Sequence, residues 1–126
     1  MTSISPEAYP TLNVFLGNRG HERRPIAELL YMQSDASYTW LIWRTGERLL
    51  MPRTLKYFEA FMPTGRFIRL HRQCAVNTDH IEQVEQITNQ LVVRLTSGVR
   101  LPVSRRRTPV VRLQLQRYMS LNDRLR

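Results

Sequence analysis

The chain has 126 residues, which at roughly 100–200 residues per domain makes one domain with short tails. Hydrophobic residues are 42% and charged residues 23%, the balance of a globular protein rather than a disordered one, and the single cysteine, Cys74, excludes a disulfide framework and any multi-cysteine zinc site. Nineteen Lys and Arg against ten Asp and Glu leave +9 at neutral pH, a balance that points to an acidic partner.

The longest apolar runs, such as Thr39-Trp40-Leu41-Ile42-Trp43, fall far below the ~18 residues that span a bilayer. Met1–Pro6 has neither a basic stretch nor an apolar core of the secretory kind, so the expected location is the cytoplasm. From Arg94 to Arg126 the chain holds nine arginines and one acid, a net +8, whereas residues 1–93 carry ten cations and nine acids. Eighteen of the nineteen cations are Arg, whose planar fork suits phosphate oxygens and guanine edges. A solvated surface accounts for scattered cations, but this asymmetry exceeds what solubility requires and predicts a polyanion partner.

Taken in chain order, the apolar pattern has mostly period two. Thr11–Leu16 alternates before Gly17-Asn-Arg-Gly20, and Glu28–Gln33 ends at the polar break Ser34–Ser37. Tyr38–Trp43 turns through Arg44-Thr-Gly46 into Glu47–Met51, a predicted hairpin. Thr54–Met62 departs from period two: Leu55, Phe58 and Met62 share a helical face, Thr54 is a candidate N-cap, and Pro63 ends the run. Arg66–Leu70, Cys74–Asn77 and Ile81–Glu85 read as short strands. Leu91–Leu95 and Val99–Val103 form a second hairpin across Thr96-Ser-Gly98. Beyond it, Thr108 as N-cap and Pro109 at the first helical position predict a C-terminal helix with Val111, Leu115 and Tyr118 on one face.

Catalysis has one candidate set, His71, Cys74, Asp79 and His80. Cys74 falls within the apolar run Cys74-Ala-Val76, as a buried, inert thiol would, and the His-x2-Cys spacing followed by Asp-His matches no common zinc pattern. Neither a phosphate-binding loop, a dinucleotide fingerprint nor a nucleophile elbow is present, so the expectation is a non-enzyme with no cofactor, no metal and no small-molecule substrate. Gly17-Asn-Arg-Gly20 has the form of a KH-domain loop, but strand-like residues rather than helices flank it, which favours a hairpin turn. Aromatics at RNA-recognition spacing are missing as well. Two basic clusters remain, Arg69 with His71 and Arg72, and Arg105–Arg107. Three consecutive cations cannot all pack inward, so most must face water or an anion.

The order and spacing of several short pieces resemble the LytTR DNA-binding domain of bacterial transcription regulators. The pieces are Ile26–Tyr31, Ser37-Tyr-Thr39, Gly46, Thr54-Leu-Lys56, Phe67-Ile-Arg69, His71-Arg72, Val76-Asn77, His80-Ile81, Leu95–Gly98 and Leu101-Pro-Val-Ser-Arg-Arg106. The resemblance implies a mainly β fold, an elongated stack of small antiparallel β-sheets, with one short helix near 54–62 and a short C-terminal helix. It implies loops that enter successive major grooves without a recognition helix. Residue by residue, the first loop matches Ser37 and Tyr38, the second His71 and Arg72 with Gln73 beside them, and the third Ser104, Arg105 and Arg106.

Physical chemistry then distributes roles among these residues. Arg72 and Arg105 are expected to read guanine edges, and Arg106, Arg107 and Arg69 to hold phosphates. Tyr38 reads either as a DNA contact or as a half-buried strand aromatic, and His71 either as a phosphate donor or as a structural loop residue. Asn77 is expected to terminate a strand, and Asp79-His-Ile81 to form a turn. Gln73 stands where relatives carry the serine of a Ser-aromatic pair, so the preferred DNA sequence can differ from theirs. Pro109 should delay the last helix to near Thr108 and leave Arg105–Arg107 in a mobile loop.

The division expected is an N-terminal tail over 1–10, the DNA-binding domain over 11–107 and a basic helix or tail over 108–126. The chain is expected to stand alone without a receiver domain. Its expected partner is double-stranded DNA, as two copies on paired direct repeats with self-association on DNA, and no membrane. The alternative is a protein-interaction module that presents the same basic face to an acidic partner.

Overall fold

The computed structural model describes residues 10–124, with side chains as far as Tyr118; residues 1–9 of the expected N-terminal tail, and 125–126, lie outside the described residues. At the centre is a five-stranded antiparallel sheet built from β3 (Leu29–Asp35), β4 (Tyr38–Trp43), β5 (Arg48–Met51), β6 (Phe67–His71) and β7 (Cys74–Asn77). Its strand order is β5-β4-β3-β7-β6. The runs Leu29-Leu30 and Leu41-Ile42-Trp43 are continuous rather than alternating because both faces of this sheet are covered. Leu29, Met32, Leu41, Trp43 and Ala75 face one core, while Leu30, Ile42, Ile68, Leu70, Cys74 and Val76 face the other. An irregularity between Leu29 and Tyr31 puts Leu30 and Tyr31 on the same side, which strict alternation forbids.

The first core is closed by the hairpin of β1 (Thr11–Phe15) and β2 (His21–Pro25) and by the helix α1 (Leu55–Glu59). The turn between β1 and β2 uses Gly17 and Gly20 at φ 63° and 76°, conformations open to glycine, so Gly17-Asn-Arg-Gly20 is a hairpin turn. The strand β2 has no apolar alternation and escaped sequence reading. It forms because the backbone pairs with β1 throughout, and Arg24 ion-pairs with Glu22 and Glu47 at 2.7 Å each. In α1, Thr54 Oγ1 accepts the Tyr57 amide at 3.2 Å, as expected of its N-cap, and Leu55 and Phe58 are buried. The helix is shorter than the expected 54–62 because the amides of Phe61 and Met62 reach back only three residues, tightening the chain before Pro63.

A three-stranded sheet of β8 (Ile81–Ile87), β9 (Gln90–Leu95) and β10 (Arg100–Pro102), ordered β10-β9-β8, closes the second core together with α2 (Thr108–Arg124). Leu91, Val93, Leu95, Leu101 and Val103 point inward, so the period-two pattern of this hairpin holds. In α2, Val111 and Leu115 are buried in the same core, at roughly 1.5–3 kcal/mol of burial each. The helix runs 17 residues, longer than the short element expected.

It begins at Thr108, where the proline was expected to delay it, but the capping residue differs from expectation. Ser104 rather than Thr108 caps the turn: Ser104 Oγ accepts the Arg107 amide at 3.2 Å, and the Thr108 hydroxyl donates to the Ser104 carbonyl at 2.9 Å. Pro109 has no amide to offer the Arg105 carbonyl, which accepts from Thr108 at 3.3 Å instead. Arg105–Arg107 therefore form a hydrogen-bonded turn ahead of the helix.

Candidate nucleic-acid interface

The strands β6 and β7 are joined by a two-residue turn, Arg72-Gln73, with both residues exposed. The Gln73 amide donates to His71 Nδ1 at 3.2 Å, and the Gln73 carbonyl accepts from the Ser34 amide at 2.8 Å. Burial, and then the charge of Arg69, hold the His71 imidazole below its ordinary range. With Nδ1 occupied as an acceptor, the ring proton of the neutral form sits on Nε2, a donor free of charge. Cys74, next in the chain, is buried, and burial pushes its thiol up to about 12, so it is no thiolate nucleophile.

The Ser104–Arg107 turn docks along β6. The Ser104 amide donates to the Leu70 carbonyl at 3.1 Å, and Arg107 Nε to the Arg69 carbonyl at 3.3 Å. These contacts bring His71, Arg72, Gln73, Ser104, Arg106 and Arg107 around one open cavity of about 780 Å³, with Arg69 and Glu59 in its wall. Two of the sequence clusters thus become one surface.

Two members behave otherwise than expected. Arg69 does not project: its guanidinium pairs with Glu59 of α1 and donates through Nη1 to the Arg72 carbonyl at 2.8 Å. Arg105 lies on the far side of its turn, lining a separate cavity of about 410 Å³ with Thr88 and Asn89 of the β8–β9 turn and Gln90 at the start of β9. Arg106, rather than Arg105, shares the cavity of Arg72.

Ser37 in the β3–β4 turn and Tyr38 at the start of β4 lie at the same end of the sheet, because Gln33 pairs with Cys74 and Ser34 bonds Gln73. Tyr38 opens β4 and is 45% exposed, a strand aromatic with about half of its surface free for a contact. It stands on β4, three strands from His71 on β6, or about 14 Å away at the usual strand spacing. Beyond it lies a cation that sequence reading missed, Arg53. Thr39 pairs with Met51, Thr39 Oγ1 donates to the Arg53 carbonyl at 2.7 Å, and the Arg53 guanidinium stacks 4.9 Å above the Tyr57 ring. The available signal was its position just after a strand whose partner carries Tyr38. Asp35, opposite Tyr38, is an exposed acid at the same end.

Ion pairing explains why this end is basic. Glu22, Glu28, Glu47, Glu59, Asp79, Glu82 and Glu85 neutralise Arg24, Arg44, Arg66, Arg69, Arg94 and Arg100. Among the described residues Arg53, Arg72, Arg105, Arg106 and Arg107 at this end have no carboxylate partner, and neither have Arg19, Arg23 and Arg48 elsewhere on the surface. The +8 of the C-terminal quarter is therefore not one patch, since Arg94 and Arg100 are paired and Arg112 bonds Gln86 at 2.6 Å. Asn77 is structural, as expected: it is buried, donates to the Leu29 carbonyl at 2.9 Å and caps the following turn through Asp79 at 3.0 Å. Asp79 and His80 lie in that turn, and His80 Nε2 bonds the Ala27 carbonyl at 2.6 Å. No helix among the described residues is long and apolar enough to cross a membrane.

Small antiparallel sheets that carry unpaired arginines on their turns make a mainly β scaffold of the class that the sequence resemblance implied. The chain belongs to the LytTR family: the model of the LytTr DNA-binding domain matches residues 21–116. It is a DNA-binding domain of the kind used in transcription regulation, a family defined by binding rather than by catalysis. Its fold is similar to that of the LytTr DNA-binding domain of a protein described as a methyl-accepting/DNA response regulator from Bacillus cereus. The TM-score is 0.74 at 23% identity, over 84% of this chain and 96% of that one. No curated protein matches the chain.

Proposed function

We propose that this domain binds double-stranded DNA sequence-specifically in the cytoplasm, with the two turns around the large cavity reading a major groove. The observation that carries the reading is the row of arginines without carboxylate partners along one end of the central sheet. Arg72 and Arg106 share one cavity and are the base readers, since a guanidinium can bond guanine O6 and N7 together. Gln73, beside Arg72, supplies a second edge contact of the kind made to adenine. His71 donates from neutral Nε2, and Ser104 stays a cap. Arg53, Arg105 and Arg107 hold phosphates, and Tyr38, with Ser37 beside it, contacts the backbone between them. Arg69 is withdrawn from the phosphate set because Glu59 neutralises it.

Two copies bind paired direct repeats and associate on DNA. Half-sites about 10–10.5 base pairs apart would place both copies on one face of the duplex. Selection from a random duplex library at two salt concentrations tests the reading. An enriched repeated motif is the expected result. Binding without a motif would favour the reading in which the same face meets an acidic protein.

A further inference from the structure

Each of the successive hairpins β1–β2, β3–β4, β4–β5, β8–β9 and β9–β10 turns through at least one left-handed residue: Gly17 and Gly20, Ala36, Gly46, Thr88 and Gly98 respectively. The β6–β7 hairpin has none, although its loop is only Arg72-Gln73. Two-residue loops favour positive φ because that twist matches the flanking strands, so this turn departs from the shape its strands favour. An irregularity between Arg69 and His71 lies beside it. Hydrogen bonds from outside the turn reach both of its carbonyls. One is the bond from Ser34 to the Gln73 carbonyl, and another is the bond from Arg69 Nη1 to the Arg72 carbonyl.

Arg69 can hold that carbonyl only while its own direction is set, and the carboxylate of Glu59 sets it from α1. The Arg69 carbonyl in turn accepts Arg107 Nε, so the same residue ties the second cluster to the first. We propose that Glu59 is a positioning residue for base recognition: through Arg69 it braces the Arg72-Gln73 turn in the shape that aims these side chains at the bases. The proposal rests on the DNA reading above and extends it to a residue that carries the wrong charge to touch DNA.

That charge supplies a test with opposite signs. Removing a carboxylate beside a basic surface raises sequence-independent affinity, while loosening the reading turn lowers affinity for the preferred site. With the wild-type motif as one probe and a scrambled duplex of equal length as the other, Glu59→Ala should strengthen scrambled binding and weaken motif binding. The expected fall in their ratio is about tenfold, the low end for a charge-assisted hydrogen bond. Glu59→Gln keeps an acceptor for Arg69 and should recover most of the ratio. Arg69→Lys, which offers a point charge in place of a fork, should lose it.

A ratio unchanged in Glu59→Ala, or motif and scrambled binding that rise together, overturns the brace while leaving the DNA reading standing. Failure of the wild-type chain to select a motif at all overturns the reading first. If Glu59→Ala does not fold, as judged by its thermal melt, the same ratio in Glu59→Gln and Arg69→Lys decides.

Discussion

The salt dependence of DNA binding follows directly from which arginines the fold leaves unpaired. Five remain near the reading turns, Arg53, Arg72, Arg105, Arg106 and Arg107, while Arg69 is held by Glu59. Three of these, Arg53, Arg105 and Arg107, hold phosphates, and each releases about 0.9 counterion, so log K should fall against log salt with a slope near −2.7 per copy. Between 50 and 200 mM salt that is a loss of about 40-fold. Fluorescence anisotropy of a labelled duplex titrated at several salt concentrations measures it. Arg53→Ala should make the slope shallower by about 0.9. The double variant Glu59→Gln/Arg69→Gln removes a neutral pair and should leave the slope where it was, even though it lowers preference for the motif. If the double variant flattens the slope as much as Arg53→Ala does, Arg69 is a phosphate contact and the pairing argument fails. A flat titration in the wild-type chain would remove the polyanion partner altogether.

Roles separate by sequence preference. Arg72→Ala should relax base preference at one position by about 1–3 kcal/mol, whereas Arg53→Ala should weaken all duplexes alike, read by binding to single-substitution duplex sets. Thr54→Ala removes the cap of α1 and should cost about 1 kcal/mol in a urea melt. Cys74 should resist iodoacetamide in the folded chain near pH 8 and react once the chain unfolds, since burial keeps the thiol protonated. The His71 imidazole is depressed below 6.5 in the fold, so below that value the unfolded chain binds the extra proton first. Stability is therefore complete above pH 6.5 and is lost as pH falls through the folded value, and His71→Gln should flatten that limb in melts near pH 7.5 and pH 5.

The mainly β class was legible in the sequence because most strands that cover one core keep a period of two. Leu91, Val93 and Leu95 all reach the core that their alternation demanded. Thr54, which caps α1, and Val111 and Leu115, which set the inner face of α2, were legible from local chemistry for the same reason: a cap and a helical stripe depend on neighbours within one or two turns. Arg72 and Arg106 were legible as members of two separate basic clusters beside apolar strands.

What the tertiary structure alone decided is which charges stay unpaired and which way each turn aims them. Glu59 neutralises Arg69 across ten positions of chain, Ser104 takes the cap expected of Thr108, and Arg105 turns to the β8–β9 side of its own loop while Arg53 arrives from β5. The strand β2 exists only through its pairing with β1. None of this is written in a residue's own neighbourhood. Ion pairs and turn directions depend on register and on bulges that bring distant segments together, and a hydrophobic period carries no record of either.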